Sequence, residues 1–578
     1  MKDIYNILDK NKSTEEIYVI REGVTEIPEA FADCSKVTSI VIPNSVTNIG
    51  AHAFRYCTGL TSIVIPNSVT SIGDGAFEGC IGLTSISVDP NNLNFSSLEG
   101  ILYDKEKTKI IKVPCGKTGD FVIPNSVISI ASYSFCYCTK LTSIAIPNSV
   151  TKIGECAFID CEGLTSIVIP NSVTNIGAHA FRYCTGLTSI VIPNSVTSIG
   201  EGAFVNCEGL TSIAIPNSVT DIGTYAFSYC TGLTSIAIPN SVTKIGDSAF
   251  EGCSGLKSIA IPNSVTDIED SVFEGCEGLT SIVIPNSVTS IGDGAFAYCS
   301  KVTSIVIPDS VTNIGDGAFA DCSKVTSIDI PNSVTNIGDG AFEGCTGLTS
   351  IVIPNSVTNI GDYAFGGCTG LTSIVIPNSV TNIGYYVFGG CTGLTSISVD
   401  PNNLNFSSLD GVLYDKEKTK IIKVPCGKTG DFVIPNSVIS IASYSFSYCT
   451  GLTSIVIPNS VTSIGEGAFF YCEGLTSIDI PNSVTDIEDS VFEGCIGLTS
   501  IVIPNLVTNI EYSAFKDCIK LNRIHCQIKN IKNVKIETDI FEGYDLSNCI
   551  LYVPTGTDND YKHHPVFSKF KNIVIDEY

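Results

Sequence analysis

A phrase of 23 residues recurs along this chain, and the repetition limits the possible folds more than any other feature. The proline of the recurring Ile-Pro pair marks its period: of 17 successive spacings, 15 are 23 residues and two are 58 residues. A fixed period in the twenties is typical of a solenoid, in which each repeat forms one turn and contacts only its neighbours. The 578 residues are therefore predicted to stack as repeats, because one globular core does not grow to that size.

The residue types within one repeat indicate which side chains face inward. In the segment LTSIVIP, the side chains predicted to point into the core are Leu60, Ile63 and Ile65. Those predicted to point outward are Thr61, Ser62 and Val64. This pattern and the Ile and Val content favour a strand, which Pro66 ends because proline cannot donate to a strand ladder. Each repeat is therefore expected to add one strand to a parallel sheet.

The second half of the repeat carries a different spacing. Ala76, Phe77 and Cys80 follow the i, i+1, i+4 pattern of the buried face of one helical turn. A single turn is too short to be stable alone, so stacking on neighbouring repeats is expected to hold it. Phe77 and its column equivalents, such as Phe181 and Phe342, are predicted to form a continuous buried stack.

One glycine column raises a question of backbone geometry. Gly73 occupies a position where a positive φ angle would favour glycine. The same column, however, contains other residue types: Ala131, Ala442, Glu269, Glu488 and Glu511. Close packing or turn flexibility is therefore the preferred explanation for Gly73.

The unit LTSIVIPNSVTSIGDGAFEGC closely resembles the leucine-rich repeat of the BspA-like family. That family's pattern is a Leu/Ile strand ending in proline, followed by I-G-x-x-A-F-x-x-C, and the resemblance covers about residues 17–525. The final segment CILYVPTGTDNDYKHHPVFSKFKNIVIDEY is similar to the carboxy-terminal cap of such proteins in bacteria of the Bacteroides type. The resemblance implies a curved, right-handed repeat solenoid of α/β to mainly β class, with a parallel sheet on one face and short helical turns on the other. It also implies a role in binding or adhesion.

Two long spacings mark insertions. Residues 87–135 recur almost unchanged at 398–446, and the segment GILYDKEKTKIIKVP predicts a hairpin that protrudes from the stack. The expected organisation is an amino-terminal lead-in, a solenoid with two hairpin-bearing insertions, and a carboxy-terminal cap. The corresponding ranges are 1–16, 17–525 with insertions at 87–123 and 398–434, and 526–578.

Charge and hydropathy exclude some classes of partner. The net charge of −26 repels phosphate backbones, so nucleic acid is not an expected partner. No apolar run approaches the roughly 20 residues that cross a bilayer, and the opening residues lack the apolar stretch of a secretory signal. Surface members of the BspA-like family carry such signals, so the compartment stays open between the cytoplasm and export by another route.

Of the 25 cysteines, 19 occupy one column of the repeat. Column neighbours would stack about 4.8 Å apart with parallel side chains, a poor geometry for a disulfide. We therefore expect free, buried thiols. No C-x-x-C pair supports a zinc module, and five candidate ligands in the last segment lack ligand spacing: His525, Cys526, Cys549, His563 and His564.

Motifs for catalysis or cofactors are weak. The segment CGKTG, which begins at Cys115, lacks the first glycine of a phosphate-binding loop. DPNNLNFSSLEG, from Asp89, lacks the ligand and the glycine that a calcium loop requires at its centre. No exposed His or Cys interrupts the repeat as a base or nucleophile. The sequence predicts a non-enzymatic protein without a cofactor or metal.

The expected function is binding of a protein or another macromolecule, and two surfaces are candidates. One is the outward strand face represented by Thr61, Ser62 and Val64, whose uniformity equally fits recent copying of the repeats. The other is the charged turn of each insertion, which carries a positive tip or is simply an inherited insertion: Lys105, Lys107, Lys416 and Lys418. The family resemblance favours a surface adhesion scaffold, whereas the unpaired thiols favour an intracellular interaction scaffold or effector.

Overall fold

The computed structural model describes residues 4–543 and 545–576. They divide into two compact bodies, Met1–Val288 and Thr289–Tyr578. Within each body, the repeats contribute strands to a first parallel array and most of them contribute, after a turn, a two-residue strand to a second parallel array; each array is interrupted along the stack. We call the two arrays the first sheet and the second sheet. The predicted repeat solenoid is therefore confirmed, and the second sheet is an addition to it.

The first sheet carries the predicted strands. Successive strands pair in register at the repeat period, as in Ile190 opposite Ile213. In the first body these strands are Ile17–Val19, Ser39–Val41, Ser62–Ile65, Ser85–Val88, Gly119–Val122, Leu141–Ala145, Ser166–Val168, Ser189–Val191, Ser212–Ala214, Ser235–Ala237, Ser258–Ala260 and Ser281–Val283. In the second body they are Ser304–Val306, Ser327–Asp329, Ser350–Val352, Ser373–Ile376, Ser396–Val399, Gly430–Val433, Leu452–Val456, Ser477–Asp479, Ser500–Ile503, Arg523–Cys526, Ile550–Pro554 and Asn572–Asp576.

The second sheet follows the Pro-Asn-Ser turn. Its strands hold the isoleucine that faces the core, as in Ile49 and its parallel partner Ile72. In the first body they are Glu26–Ile27, Asn48–Ile49, Ser71–Ile72, Ser129–Ile130, Lys152–Ile153, Ser198–Ile199, Asp221–Ile222, Lys244–Ile245 and Asp267–Ile268. In the second body they are Ser290–Ile291, Asn313–Ile314, Asn336–Ile337, Asn359–Ile360, Asn382–Ile383, Ser440–Ile441, Ser463–Ile464, Asp486–Ile487, Asn509–Ile510 and Lys535–Ile536.

The side chains predicted to point inward form the core. Leu60, Ile63 and Ile65 are buried. The phenylalanine rings stack on one another, with centroids 5.4 Å apart and planes 3° apart for Phe181 and Phe204. Apolar burial of this kind supplies the main stabilisation of the stack.

The segment Asp74 to Cys80 is not the predicted helical turn. Gly75 and Gly79 have φ angles of 64° and 63°, which a right-handed helix does not contain. Its backbone is bonded to the preceding repeat instead: the Ala76 carbonyl oxygen accepts a hydrogen bond from the Phe54 N–H at 2.8 Å. The segment is therefore a series of turns bonded to a neighbouring repeat, and we call this segment and its equivalents in other repeats the back turn.

Glycine at position 73 is favoured by the close approach of the preceding repeat rather than by a positive φ angle. A Cβ atom at Gly73 would lie 2.3 Å from the backbone nitrogen of Ala51 in the preceding repeat. Ala131 and Ala442 fill the same column after the two insertions, where the preceding repeat has no back turn to collide with. This argument does not cover Glu269, Glu488 or Glu511.

Each insertion forms three strands rather than a protruding hairpin. In the first body they are Phe95–Leu98, Ile101–Asp104 and Lys109–Lys112. In the second body they are Phe406–Leu409, Val412–Asp415 and Lys420–Lys423. The three strands are antiparallel, and the last one joins the second sheet in parallel, with Ile110 opposite Ile130. Leu102 and Ile110 are buried, so the insertion packs into the stack instead of projecting from it.

Helices are few and short among the described residues. The α-helices are Ile4–Ile7 and Asp558–Lys562, and the 3₁₀ helices are Glu29–Phe31, Ile531–Asn533, Leu546–Asn548 and Phe567–Lys569. The first sheet continues through Arg523–Cys526 to Ile550–Pro554 and Asn572–Asp576 by parallel pairing. The last segment of the chain therefore extends the first sheet.

Candidate binding surfaces

The outward face of the first sheet presents three parallel columns. Thr61, Ser62 and Val64 are all exposed, as the strand alternation predicts. The Val column is open to solvent: Val64 is 60% exposed, Val191 68% and Val352 69%. Valine fills most of this column, with alanine, serine or aspartate in the other repeats, and it gives an interrupted apolar stripe, because parallel pairing aligns equivalent residues of neighbouring repeats.

The threonine column beside this stripe is ordered by hydrogen bonds. The Thr61 hydroxyl donates to the Thr38 carbonyl oxygen at 3.3 Å, and Thr188 donates likewise to Thr165 at 3.3 Å. Each donor is therefore occupied within the ladder, while the hydroxyl oxygen faces solvent as an acceptor. The result is a regular, largely uncharged face on a strongly acidic chain.

Acidic residues of the back turn have a structural role in part of the second body. The Asp316 carboxylate accepts a hydrogen bond from the backbone N–H of Asp339 at 2.8 Å. Asp339 accepts one from Asp362 at 2.7 Å. Each carboxylate thus binds a backbone N–H group of the next repeat. The negative charge of this column therefore has a structural role besides any contact with a partner.

Tyrosines form a cluster on the back turns of the second body. The rings of Tyr363 and Tyr386 stack at 5.1 Å, and Tyr386 meets Tyr444 edge-on at 4.7 Å. Tyr448 extends the cluster by stacking on Tyr471 at 5.5 Å. Sequence reasoning missed this cluster, although the tyrosines in GDYAFGGC and GYYVFGGC signal it.

The lysines of the insertion turns differ in their contacts. The Lys105 ammonium donates to the carbonyl oxygens of Asn92 and Pro90, and Lys416 repeats this with Asn403 and Pro401. Lys107 and Lys418 occupy the turns with φ angles of 58°. In each insertion, therefore, one of the two candidate lysines, Lys105 or Lys416, is hydrogen-bonded to carbonyl oxygens of that insertion.

A buried lysine completes each insertion. The Lys112 ammonium donates to the Cys136 carbonyl oxygen at 3.0 Å, the Cys136 thiol at 3.0 Å and the Tyr133 carbonyl oxygen at 3.3 Å. Lys423 contacts Ser447 and Tyr444 in the same way. In regular repeats the carbonyl equivalent to that of Cys136 receives an N–H group of the preceding back turn, as Glu78 does from Tyr56 at 2.8 Å, and the insertion lacks that turn. At Cys136 the ammonium therefore replaces a missing main-chain donor.

The thiols form no disulfide among the described residues, and all but one are buried. Only Cys34 is partly exposed. The column thiols donate to the phenylalanine carbonyl 26 residues earlier, as Cys80 does to Phe54 at 3.0 Å. Burial raises the pKa of the Cys253 thiol to about 12, which keeps it protonated and unreactive.

The candidate ligands of the last segment have separate partners. His525 Nδ1 lies 2.9 Å from an Asp576 carboxylate oxygen, and the Cys526 thiol accepts a hydrogen bond from the Tyr561 hydroxyl. His563 Nδ1 lies 2.7 Å from the Asn559 carbonyl oxygen. Over residues 4–543 and 545–576, no three His, Cys, Asp or Glu side chains are arranged to hold a metal ion.

Comparison with known proteins identifies the repeat. The family described as BspA type Leucine rich repeat region (6 copies) matches residues 25–115, 113–234, 220–346, 312–425 and 423–547. Among curated proteins, none matches the chain. In the part of the chain that the structure describes, no helix is long and apolar enough to cross a membrane.

Solved structures of bacterial repeat proteins are similar to this chain. A leucine rich cell surface protein from Faecalibacterium prausnitzii A2-165 is 25% identical, with 84% of this chain and 95% of that chain covered and a TM-score of 0.42. A leucine-rich repeat protein from Bacteroides ovatus is 27% identical, with 77% and 97% covered and a TM-score of 0.40. The T. pallidum Leucine Rich Repeat protein is 34% identical, with 28% and 78% covered and a TM-score of 0.27.

Proposed function

Because the chain belongs to the family of BspA-type leucine-rich repeat proteins, we propose that it is a non-enzymatic interaction scaffold used in adhesion. The partner is a protein or another macromolecule, and it lies across the outward face of the first sheet. Leucine-rich repeats offer this face as an extended surface, since the turns repeat along it.

The exposed valine column is the observation that supports this proposal. Side chains such as Val168, Val191 and Val352 are each more than half exposed, and they are aligned by strand pairing. Burial of apolar surface at about 25 cal/mol per Å² favours association. A row of equivalent contacts also favours a partner that engages many repeats at once.

The proposal is tested by placing charge within the column. Asp329 and Asp479 already occupy it in two repeats, so the strand accepts an acidic residue there. The variant Val352→Asp/Val375→Asp is compared with the unmodified protein in pull-down from a surface-fraction extract and from a cytosolic extract. We expect at least about a tenfold loss of captured partner, because each valine contributes roughly 1 kcal/mol or more on burial.

A control variant adds the same charge to the second sheet. Asn359→Asp/Asn382→Asp follows natural precedents in that column, Asp221 and Asp267. This variant is expected to capture the partner normally. Full binding by the valine variant, or equal loss in both variants, contradicts the proposed face.

An intracellular interaction scaffold or effector is a second candidate. The absence of disulfides among the described residues favours it, because oxidising compartments are where disulfides form and persist. Fractionation of the native host cell distinguishes the two uses, since adhesion requires the protein at the surface. Recovery only from the cytosol would leave the scaffold proposal in place and remove adhesion.

A further inference from the structure

Each body contains a cavity where its insertion replaces a back turn, and we propose that both cavities bind a small oxyanion, a carboxylate or phosphate group. The binding groups are main-chain N–H donors that the insertion leaves without acceptors, assisted by one exposed lysine at each site and by the positive charge of a buried lysine whose own hydrogen bonds are already made. This site is separate from the outward face of the first sheet.

Regular repeats show what these donors normally do. In the repeat that contains Phe204, the N–H groups of Gly202, Phe204 and Asn206 donate to carbonyl oxygens of the next back turn. Their distances are 2.8, 2.8 and 2.9 Å. The same ladder joins the back turns of Phe135 and Phe158. Alternate N–H groups of these regular back turns therefore point toward the following repeat.

The repeats that precede the insertions lack this ladder. The N–H groups of Gly75 and Phe77 have no acceptor among the described residues, and both residues are buried. Phe388, which is buried, and Tyr386, which is half-buried, are the equivalent donors in the second body, and they too have no acceptor within the described chain. Leaving a buried N–H unsatisfied costs free energy, so these positions favour an added acceptor.

Space for an acceptor exists beside these donors. The cavity in the first body has a volume of about 230 Å³ and is lined by Gly75, Phe77, Lys109 and Lys112, among others. Its counterpart in the second body has a volume of about 440 Å³ and is lined by the equivalent donors and by Lys420 and Lys423. The same site therefore occurs twice, once in each copy of the duplicated block.

Charge favours an oxyanion over a neutral acceptor. Lys109 and Lys420 are exposed at the cavity mouth, whereas Lys112 and Lys423 are buried in the wall. Two alternate N–H groups and an ammonium match the several acceptor sites of a carboxylate or phosphate.

Two aspartates also line the first cavity. Asp104 already accepts hydrogen bonds from Thr108 and Lys109, whereas Asp74 stands at the edge and opposes highly charged ligands. In the second body, the Asp362 carboxylate is engaged by the Tyr385 N–H at 2.7 Å. Small oxyanions of low charge are therefore favoured over polyanions.

The test uses isothermal titration calorimetry of the full chain with inorganic phosphate and, separately, with acetate. Ionic strength is held constant with sodium chloride. We expect saturable binding at two sites per chain for at least one probe, and the more effective probe identifies the preferred oxyanion. Hydrogen exchange in peptides that cover residues 74–80 and 385–391 should slow with ligand, while residues 201–207 should not change.

Removing the insertions gives the decisive variant. Residues 67–124, the 58-residue segment, are replaced by the regular 23-residue segment 194–216, which restores the missing carbonyl oxygens. Residues 378–435 are replaced in the same way. One replacement should leave one site, and both should leave none.

Point variants keep the insertions in place. Lys109→Ala/Lys420→Ala should weaken binding by about fivefold through the loss of one exposed charge at each site. Lys152→Ala/Lys244→Ala is the matched control, because these exposed lysines lie in the same column of regular repeats. Absence of saturable binding by both probes, or binding that survives both replacements, overturns the proposal.

Discussion

The thiol of Cys184 donates a hydrogen bond to the carbonyl oxygen of Phe158, 26 residues earlier, at 3.1 Å. Cys207 and Phe181 show the same contact at 3.1 Å. These column cysteines therefore do more than fill space, since their thiols satisfy carbonyls beside the phenylalanine stack. A serine there would bury a more strongly solvated hydroxyl, whereas a thiol combines a weak donor with apolar character.

Thiol accessibility follows from this arrangement. A thiol-reactive chromophore is expected to label about one cysteine in the native protein and all 25 after denaturation. Cys34 should react first, because it is partly exposed whereas the other cysteines are buried. Rapid labelling of many native thiols, or 20 or more cysteines in disulfides, would contradict the buried column.

The phenylalanine stack is expected to carry much of the local stability. Phe342 lies 5.7 Å from Phe319 and 5.6 Å from Phe365, ring to ring. Phe342→Ala should destabilise its neighbourhood by about 3–5 kcal/mol, because it leaves a cavity between two rings. Hydrogen exchange of the flanking repeats and thermal melting measure the effect, with Phe342→Leu as a milder control. Unchanged exchange and melting for the alanine variant would disprove the inward assignment.

Asp160 should make stability depend on pH. Burial raises its pKa from 3.8 to about 6, so the folded state binds a proton more tightly than the unfolded state. This raised pKa makes the contribution of Asp160 most favourable below about pH 4, and that contribution is lost as the pH rises through 6.

The variant Asp160→Asn tests this pH dependence. Asparagine tolerates the positive φ of 58° at this position. We expect it to stabilise the protein at pH 7.5 by on the order of 1 kcal/mol, after allowance for partial exposure, and much less at pH 4. Equal melting shifts at both pH values would refute the assignment.

The insertion turns provide a prediction about charge. If they contact an acidic partner, Lys107→Glu/Lys418→Glu should weaken its capture severalfold and reduce the salt dependence of binding. Lys105→Gln/Lys416→Gln should have a smaller effect on capture, because those ammonium groups already bind carbonyl oxygens of their own insertion. Normal capture by the glutamate variant at low salt would show that the turns are inherited insertions without a binding role.

The inward columns and the stacking period could be predicted from the sequence, because they follow strand alternation and repeat at a fixed spacing. The second sheet could not be, since two-residue strands such as Ser71–Ile72 are too short to show alternation. The helical turn was a wrong prediction. The spacing of Ala76, Phe77 and Cys80 fits a helix, yet the positions of Gly75 and Gly79 adopt positive φ angles, and His52 and Tyr56 do so at the same positions of the preceding repeat, although side chains disfavour that conformation.

The binding surfaces were only partly predictable. The exposure of Thr61, Ser62 and Val64 follows from the strand pattern. The burial of Lys112 does not, because lysine is rarely buried and its acceptors depend on the missing back turn. The cavities at the insertions have the same origin, since they arise from main-chain groups that carry no residue-specific signal.

Photo-crosslinking tests the proposed binding face most directly. A photoreactive amino acid is placed at Val375 on the first sheet or at Asn382 on the second sheet, both of which are exposed. After illumination with the partner-containing extract, the crosslinked partner is quantified by mass spectrometry. Binding across the first sheet predicts strong crosslinking from residue 375 and background crosslinking from residue 382. Equal yields, or a partner found only at residue 382, would contradict it.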